Sequence, residues 1–167
     1  VEFASIFNGL GVQTTLAYRG THLLRGFDLE LGTRLAEEMG RKGVAVALNC
    51  SPVSLAKQGD AIQVKFNNNT QSAFDLVMLA TGRKPNTANL GLEAAGVKLA
   101  DDGAIAVDSY SKSSVDSIHA IGDVTNRINL TPVATAEGMA LAKTLFGGAP
   151  TPVDHEYVPT AVFAHPN

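Results

Sequence analysis

Segments with helical spacing alternate with strand-like apolar runs along the first half of the chain. Apolar residues recur at helical spacing over residues 3–10, and glycines close this pattern before the β-rich run 12–18. A second helix is predicted to begin after Asp28 and to end at Gly43, directly before the apolar run 44–48. Because helices between strands are the units from which parallel sheets are built, the alternation predicts an α/β fold.

The middle of the chain has the pattern of a hairpin that leads into a central strand. Residues 62–66 alternate between apolar and polar, and three asparagines at 67–69 supply turn chemistry. Residues 74–80 are mostly apolar, which is typical of a strand buried on both faces. The glycine- and proline-containing stretches at 82–87 and 147–152 are the best candidates for domain boundaries.

Composition excludes two classes of partner. The 167 residues are 45% hydrophobic and 17% charged, as in a globular protein of about one domain. A net charge of −3 gives no basic surface for nucleic acid, and no apolar run approaches the roughly 18 residues of a membrane span. Cys50 is the single cysteine and no signal-peptide pattern is present, so a cytoplasmic location is expected. The chain starts without methionine, and we expect it to be an internal fragment of a longer protein.

Asp123 is the strongest candidate for a ligand-binding residue. It follows the apolar run 118–121 and Gly122, which predicts a carboxylate at the carboxyl end of a strand, where α/β folds bind ligands. An ionised acceptor there makes hydrogen bonds roughly twice as strong as a neutral one does. Thr131 is predicted to cap a helix with Pro132 in its first turn, and the positive end of that helix favours an electron-rich group.

Two arginines, Arg19 and Arg25, follow the predicted strand 12–18. In a dinucleotide-binding fold an acid at this place accepts from the ribose 2′-OH, whereas arginines accommodate a 2′-phosphate. Two guanidinium groups on one phosphate would favour NADPH over NADH. The alternative, which the spacing alone favours, is a pair of solvated arginines on a surface loop. The glycine-rich fingerprint that would decide between them is absent from these residues.

Several short motifs together resemble one protein family. The most specific are Ala-Thr-Gly-Arg at 80–83, Gly-Asp-Val at 122–124 and Leu-Thr-Pro-Val-Ala at 130–134. On these residues, and along essentially its whole length, the chain resembles the pyridine nucleotide-disulfide oxidoreductase family. Its Val-Glu-Phe-Ala-Ser-Ile-Phe and Arg-Lys-Pro-Asn-Thr segments and its arginine pair resemble the glutathione-disulfide reductases within that family.

The resemblance implies a partial Rossmann-like, FAD- and NAD(P)-binding fold. Residues 1–86 would form an NADPH-binding domain that lacks its first strand and glycine-rich loop. Residues 87–155 would be the second segment of the FAD-binding domain, and residues 156–167 the start of an α+β interface domain.

The resemblance also implies roles for ten residues in binding the cofactors FAD and NADPH. Glu2, as a buried helix carboxylate, would lie beside the nicotinamide and orient a lysine; the alternative is a helix-surface acid. Arg19 and Arg25 would bind the 2′-phosphate. Asp123 would hold the ribityl chain of FAD. Gly82 and Arg83 would form the turn where the nucleotide and flavin domains meet, with Arg83 near the NADPH. The remaining implied cofactor-binding residues are Ala161 near the nicotinamide carboxamide, Leu130 and Thr131 under the flavin pyrimidine, and Asn129 near the nicotinamide end.

The implied activity of the parent enzyme is the transfer of electrons from NADPH through FAD and a redox disulfide to glutathione disulfide, in a homodimer. No catalytic residue and no metal site is expected in this chain. Cys50 is expected to pack, and His165 is not expected to be the acid–base histidine. Trypanothione, mercuric and dihydrolipoamide oxidoreductases are alternatives within the family, and a non-catalytic nucleotide-binding module is an alternative outside it. The chain alone is expected neither to reduce glutathione disulfide nor to bind FAD tightly.

Overall fold

A computed structural model describes residues 1–163, which fall into two compact units. Unit 1 comprises Val1–Leu79 and residues 160–163, and unit 2 comprises Ala80–Pro159. The regular elements are α1 (Glu2–Gly9), β1 (Thr15–Ala17), α2 (Leu29–Arg41), β2 (Ala45–Ala47), β3 (Pro52–Gln58), β4 (Ala61–Phe66), β5 (Gln71–Phe74) and α3 (Thr131–Phe146). Within residues 1–163, none of the helices has both the length and the apolar character needed to cross a membrane.

The start of unit 1 is a strand–helix–strand arrangement preceded by a helix. The order α1, β1, α2, β2 confirms the order of helices and strands predicted for residues 1–48. β1 and β2 pair in parallel. The Asp28 carboxylate accepts from the Glu30 N–H at 2.8 Å and caps α2, as its position in the sequence predicts. Leu23 and Met39 are buried in the core between the helices and these strands.

β3, β4 and β5 form a three-stranded antiparallel sheet in unit 1. The predicted strand at 62–66 and the asparagine turn are confirmed by β4 and its link to β5. The prediction of a buried strand over 74–80 is wrong, because β5 ends at Phe74 and Leu76 and Leu79 are 74% and 64% exposed. A strand of this kind needs neighbours and cover on both faces, and the described part of the chain provides neither here.

Unit 2 is built mainly from turns, with a 3₁₀ turn (Gly122–Thr125) followed by α3. The predicted strand over 118–121 is wrong: the Ala120 N–H donates to the Ser111 carbonyl at 3.0 Å, so this segment pairs through an isolated bridge with the loop before it. Asp123 therefore lies in a turn and not at the edge of a sheet.

α3 begins at Thr131, so the prediction that Thr131 caps this helix is wrong. Leu130 has an extended backbone, with φ −128° and ψ 136°, and it is the residue that precedes the first helical turn. Pro132 lies in the first turn, as predicted, because its fixed φ suits that position and its missing N–H costs no helical hydrogen bond.

Candidate functional site

The 3₁₀ turn Gly122–Thr125 presents the Asp123 carboxylate to solvent. Gly122 has a φ of 70°, in the left-handed region that favours glycine, and the Thr125 hydroxyl donates to the Gly122 carbonyl at 2.8 Å. The Asp123 side chain is 50% exposed, and its Oδ2 lies 3.5 Å from Nη2 of Arg83. Because the Arg83 side chain is 78% exposed, water screens this ion pair, and both groups remain accessible to a ligand.

Asp123 and Arg83 line a shallow cleft of about 240 Å³ in unit 2, together with Lys84 and Asn129. The structure thus brings together three of the residues that the resemblance assigned to cofactor binding. The carboxylate and the amide can bond to hydroxyl groups, whereas the two cations favour an anionic group. The cleft therefore suits a ligand that carries both hydroxyl and anionic groups.

A chain of polar side chains holds Asn129 at the cleft. Asn126, in a left-handed conformation with φ 49°, accepts from Asn129 Nδ2 at 2.8 Å and donates to Asp102 Oδ2 at 2.7 Å. The Asn126 amide, and after it the Ala104 N–H, holds the pKa of Asp102 below its ordinary value. The ionised Asp102 carboxylate in turn fixes which way the Asn126 amide faces.

Glu137 on α3 is a buried carboxylate in contact with the Asp123 turn. Its side chain is 1% exposed, and its Oε2 accepts from the Gly122 N–H at 2.5 Å. Its Oε1 lies 2.9 Å from Arg127 Nη2 and 2.7 Å from His155 Nε2, so three donors offset the cost of burying the charge. Sequence analysis missed this residue, although a lone acid in the mainly apolar sequence of α3 is a signal that could have found it.

Three further predicted residues lie in unit 2: Leu130 and Thr131 at the start of α3, and Gly82 outside its helices. Leu130 is partly buried and Thr131 is exposed at the start of α3. No side chain caps this helix, so N–H groups of its first turn remain available to a negative group. Gly82, directly before Arg83, is exposed and has a φ of 117°, in the region that favours glycine.

Arg19 and Arg25 lie on the loop between β1 and α2, and both are exposed. Neither guanidinium makes an ion pair or hydrogen bond with another residue of the described range 1–163. The Tyr18 ring lies against the backbone of Gly20, where an added Cβ would be 2.7 Å from it. The two arginines are therefore free to bind an anion on the surface of unit 1.

Glu2 lies in the first turn of α1 and is exposed, so the expectation of a buried carboxylate is wrong. Its Oε1 accepts from the Phe163 N–H at 2.9 Å, and no Lys or Arg side chain among residues 1–163 forms an ion pair with it. This bond brings Glu2 beside the segment 160–163, which contains the exposed residue Ala161. The two predicted nicotinamide-side groups of unit 1 are thus close together.

Cys50 is 5% exposed and packs against Val64 and Phe66, which confirms it as a packing residue. No cluster of His, Cys, Asp or Glu in the part of the chain that the structure describes could hold a metal ion. His165 lies outside the described residues.

Comparison with protein families identifies the class to which the chain belongs. The model of the family described as pyridine nucleotide-disulphide oxidoreductase matches residues 1–138. The chain therefore belongs to the pyridine nucleotide-disulphide oxidoreductase family.

Named relatives match almost the whole chain. It is 49% identical over 165 residues to a glutathione reductase of Burkholderia cepacia and 51% identical over 167 residues to a chloroplastic/mitochondrial glutathione reductase of Pisum sativum. A trypanothione reductase of Leishmania donovani is 48% identical over 171 residues. Each match covers 99% of this chain, but only 37%, 30% and 35% of the respective relative. The chain therefore spans about a third of the length of these relatives.

Solved structures with a similar fold include one flavoprotein disulfide reductase. LpdA from Mycobacterium tuberculosis matches with a TM-score of 0.86 at 28% identity, over 98% of this chain and 36% of that chain. The HOCl-induced flavoprotein disulfide reductase RclA from Escherichia coli matches with a TM-score of 0.82 at 28% identity, over 88% of this chain and 34% of that chain.

Proposed function

We propose that the chain is part of an NADPH-dependent glutathione-disulfide reductase that uses FAD. Two glutathione reductases match it at 49% and 51% identity, and the Asp123 cleft is the structural observation that carries the proposal. Residues 1–86 would then belong to the NADPH domain, 87–155 to the second segment of the FAD domain, and 156–167 to the start of the interface domain.

The residues around Asp123 fit the ribityl and flavin parts of FAD. A half-exposed carboxylate beside a cleft can accept from ribityl hydroxyls, and its one ion pair is weak. The uncapped N-terminus of α3, at Leu130 and Thr131, offers N–H groups and a positive dipole end to the pyrimidine ring. When bound, FAD supplies the acceptor for a hydride and the donor of electrons to a disulfide. Asn129 would lie near the nicotinamide end.

The residues of unit 1 fit NADPH. Exposed arginines, and not an acid, follow β1, so Arg19 and Arg25 can take the 2′-phosphate as a pair of planar donors. Glu2 and Ala161 would lie near the nicotinamide. Of the residues of unit 2, Arg83 would lie near the NADPH, and Gly82 would belong to the turn where the nucleotide and flavin domains meet.

The proposed substrate is glutathione disulfide, and the proposed assembly is a cytoplasmic homodimer. Cys50 is a poor candidate for the redox group, because its thiol is buried and the chain has no second cysteine to pair with it. The redox cysteines and the acid–base histidine would be supplied by other residues of the intact protein.

Cofactor preference tests the proposal. In the intact protein, Arg19→Met and Arg25→Met should each raise the KM for NADPH about tenfold or more, since a charge-assisted hydrogen bond contributes roughly 1.5–3 kcal/mol. The KM for NADH should be unchanged in both variants. Arg34→Met is the matched control, because Arg34 is an exposed arginine of the same unit that pairs with Glu37 and Glu38 on α2. Equal use of NADH and NADPH by the unaltered protein would contradict the proposal.

Trypanothione disulfide is the second candidate substrate, because the Leishmania donovani relative is 48% identical. Comparing kcat/KM for glutathione disulfide, trypanothione disulfide and a dihydrolipoamide couple in the intact protein separates the candidates. We expect the highest value for glutathione disulfide, and a higher value for trypanothione disulfide would replace the proposed substrate while keeping the reaction class.

A further inference from the structure

We propose that Glu137 is a positioning residue that fixes Asp123 for the ribityl chain of FAD, an inference that rests on the proposed function. Glu137 does not line the cleft. It reaches the cleft through the backbone, because Gly122, the residue directly before Asp123, donates its N–H to Glu137 Oε2 at 2.5 Å.

The Gly122–Glu137 bond joins the two elements that carry the proposed FAD contacts. Asp123 lies on the 3₁₀ turn, while Leu130 and Thr131 lie at the start of α3, the helix that carries Glu137. The turn and the helix also pack closely, because a Cβ added to Gly122 would lie 3.2 Å from the Ala134 Cβ. The bond therefore sets the spacing between the carboxylate and the helix start, and a ligand bound by both depends on that spacing.

Three donors converge on Glu137, so its charge and shape both matter. Arg127 and His155 contact Oε1, which leaves Oε2 to Gly122. Arg127 also donates to Ser111 Oγ at 3.2 Å, which holds its guanidinium in place. A glutamine has one acceptor oxygen and one donor nitrogen, so it cannot accept from all three groups. We therefore expect the affinity for FAD to be highest with glutamate at position 137, lower with glutamine and lowest with leucine.

The test measures FAD binding to the intact protein after its flavin has been removed, by the change in flavin fluorescence. Asp123→Asn should raise the Kd for FAD about tenfold or more, because a charged acceptor is lost. Glu137→Leu should raise the Kd by a similar factor, and Glu137→Gln by a smaller one. Glu93→Leu is the matched control, because Glu93 is an exposed acid of the same unit, and it should leave the Kd unchanged.

Combining the two substitutions separates positioning from a general loss of folding. If Glu137 acts through Asp123, the two effects are coupled. The double variant should then have about the same Kd for FAD as the single variant that binds FAD less tightly. If the increase in Kd of the double variant equals the product of the increases in the two single variants, this inference is overturned and the proposed function stays intact. If Asp123→Asn alone leaves the Kd unchanged, the proposed role of Asp123 fails, and the inference fails with it. Should Glu137→Leu not fold, the same comparison with Glu137→Gln decides between these outcomes.

Discussion

At the scale of single residues, Asp102 is an exposed carboxylate whose titration reports on the side chains that hold Asn129 at the cleft. Its pKa is lowered from the usual 3.8 by the Asn126 amide and then by the Ala104 N–H. Because the folded pKa is the lower one, the bonds of Asp102 stabilise the folded protein fully above pH 3.8 and are lost as the pH falls through the lowered value.

NMR titration of the intact protein, labelled selectively at aspartate and asparagine side chains, tests this account of Asp102. The carboxyl midpoint of Asp102 should lie below 3.8, and the Asn126 amide signals should change with the same midpoint. Asn126→Gly suits the left-handed backbone and removes the donor, so the midpoint should rise towards 3.8. A midpoint that does not move in this variant would show that the backbone bond from Ala104 dominates instead.

At the scale of elements, two glycines of α2 should respond in opposite directions to substitution by alanine. A Cβ on Gly40 has open space around it, so Gly40→Ala should raise the free energy of unfolding by about 0.5–1 kcal/mol through the lower chain entropy of alanine. A Cβ on Gly32 would overlap the Leu23 carbonyl oxygen, so Gly32→Ala should lower it by about 1–3 kcal/mol. Urea denaturation, with hydrogen exchange of the α2 amides, measures both. Equal effects of the two substitutions would show that α2 does not pack on the Leu23 loop.

The elements that sequence could predict are those whose signals are local. Asp28 predicts the start of α2 because its side chain accepts from the backbone N–H of Glu30, two residues further along. Pro132 predicts the start of α3 because its fixed φ suits the first helical turn. The strands predicted at 74–80 and 118–121 were wrong because apolar composition does not report on the partner segment. Most of 74–80 lies outside the described sheets, and 118–121 pairs only at a single bridge, Lys112–His119.

The residues of the candidate site also fall into those that local sequence signals predicted and those that they did not. Asp123, Arg83 and Asn129 were predicted from a resemblance carried by short contiguous motifs, and the structure places them on one cleft. The role of Glu137 depends on which face of α3 contacts the Gly122 turn. It also depends on two donors from separate loops, Arg127 and His155. The lone acid in α3 is a local signal for Glu137 itself, but its contacts are 10 to 18 residues away in sequence, so no local pattern encodes its partners.

At the scale of the whole molecule, large apolar side chains in both units are exposed. Leu76 in unit 1 is 74% exposed, and Phe146 and Tyr157 in unit 2 are 87% and 96% exposed. Named relatives are about three times as long as this chain. We therefore expect other residues of the intact protein to cover these side chains.

Phe146→Ser should affect different properties of the chain alone and of the intact protein. The 167 residues expressed alone should bind an apolar dye, self-associate and remain free of flavin, and Phe146→Ser should reduce the dye binding because it removes exposed apolar surface. In the intact protein the same substitution should lower the free energy of unfolding by about 1.5–3 kcal/mol, because a covered phenylalanine contributes roughly that much. Lys143→Ser, at an exposed polar position in the last turn of the same helix, should leave the dye binding unchanged and lower the free energy of unfolding by less than about 1 kcal/mol. If Phe146→Ser leaves the free energy of unfolding of the intact protein unchanged, Phe146 faces solvent there too, and the rest of the protein does not pack on this end of α3.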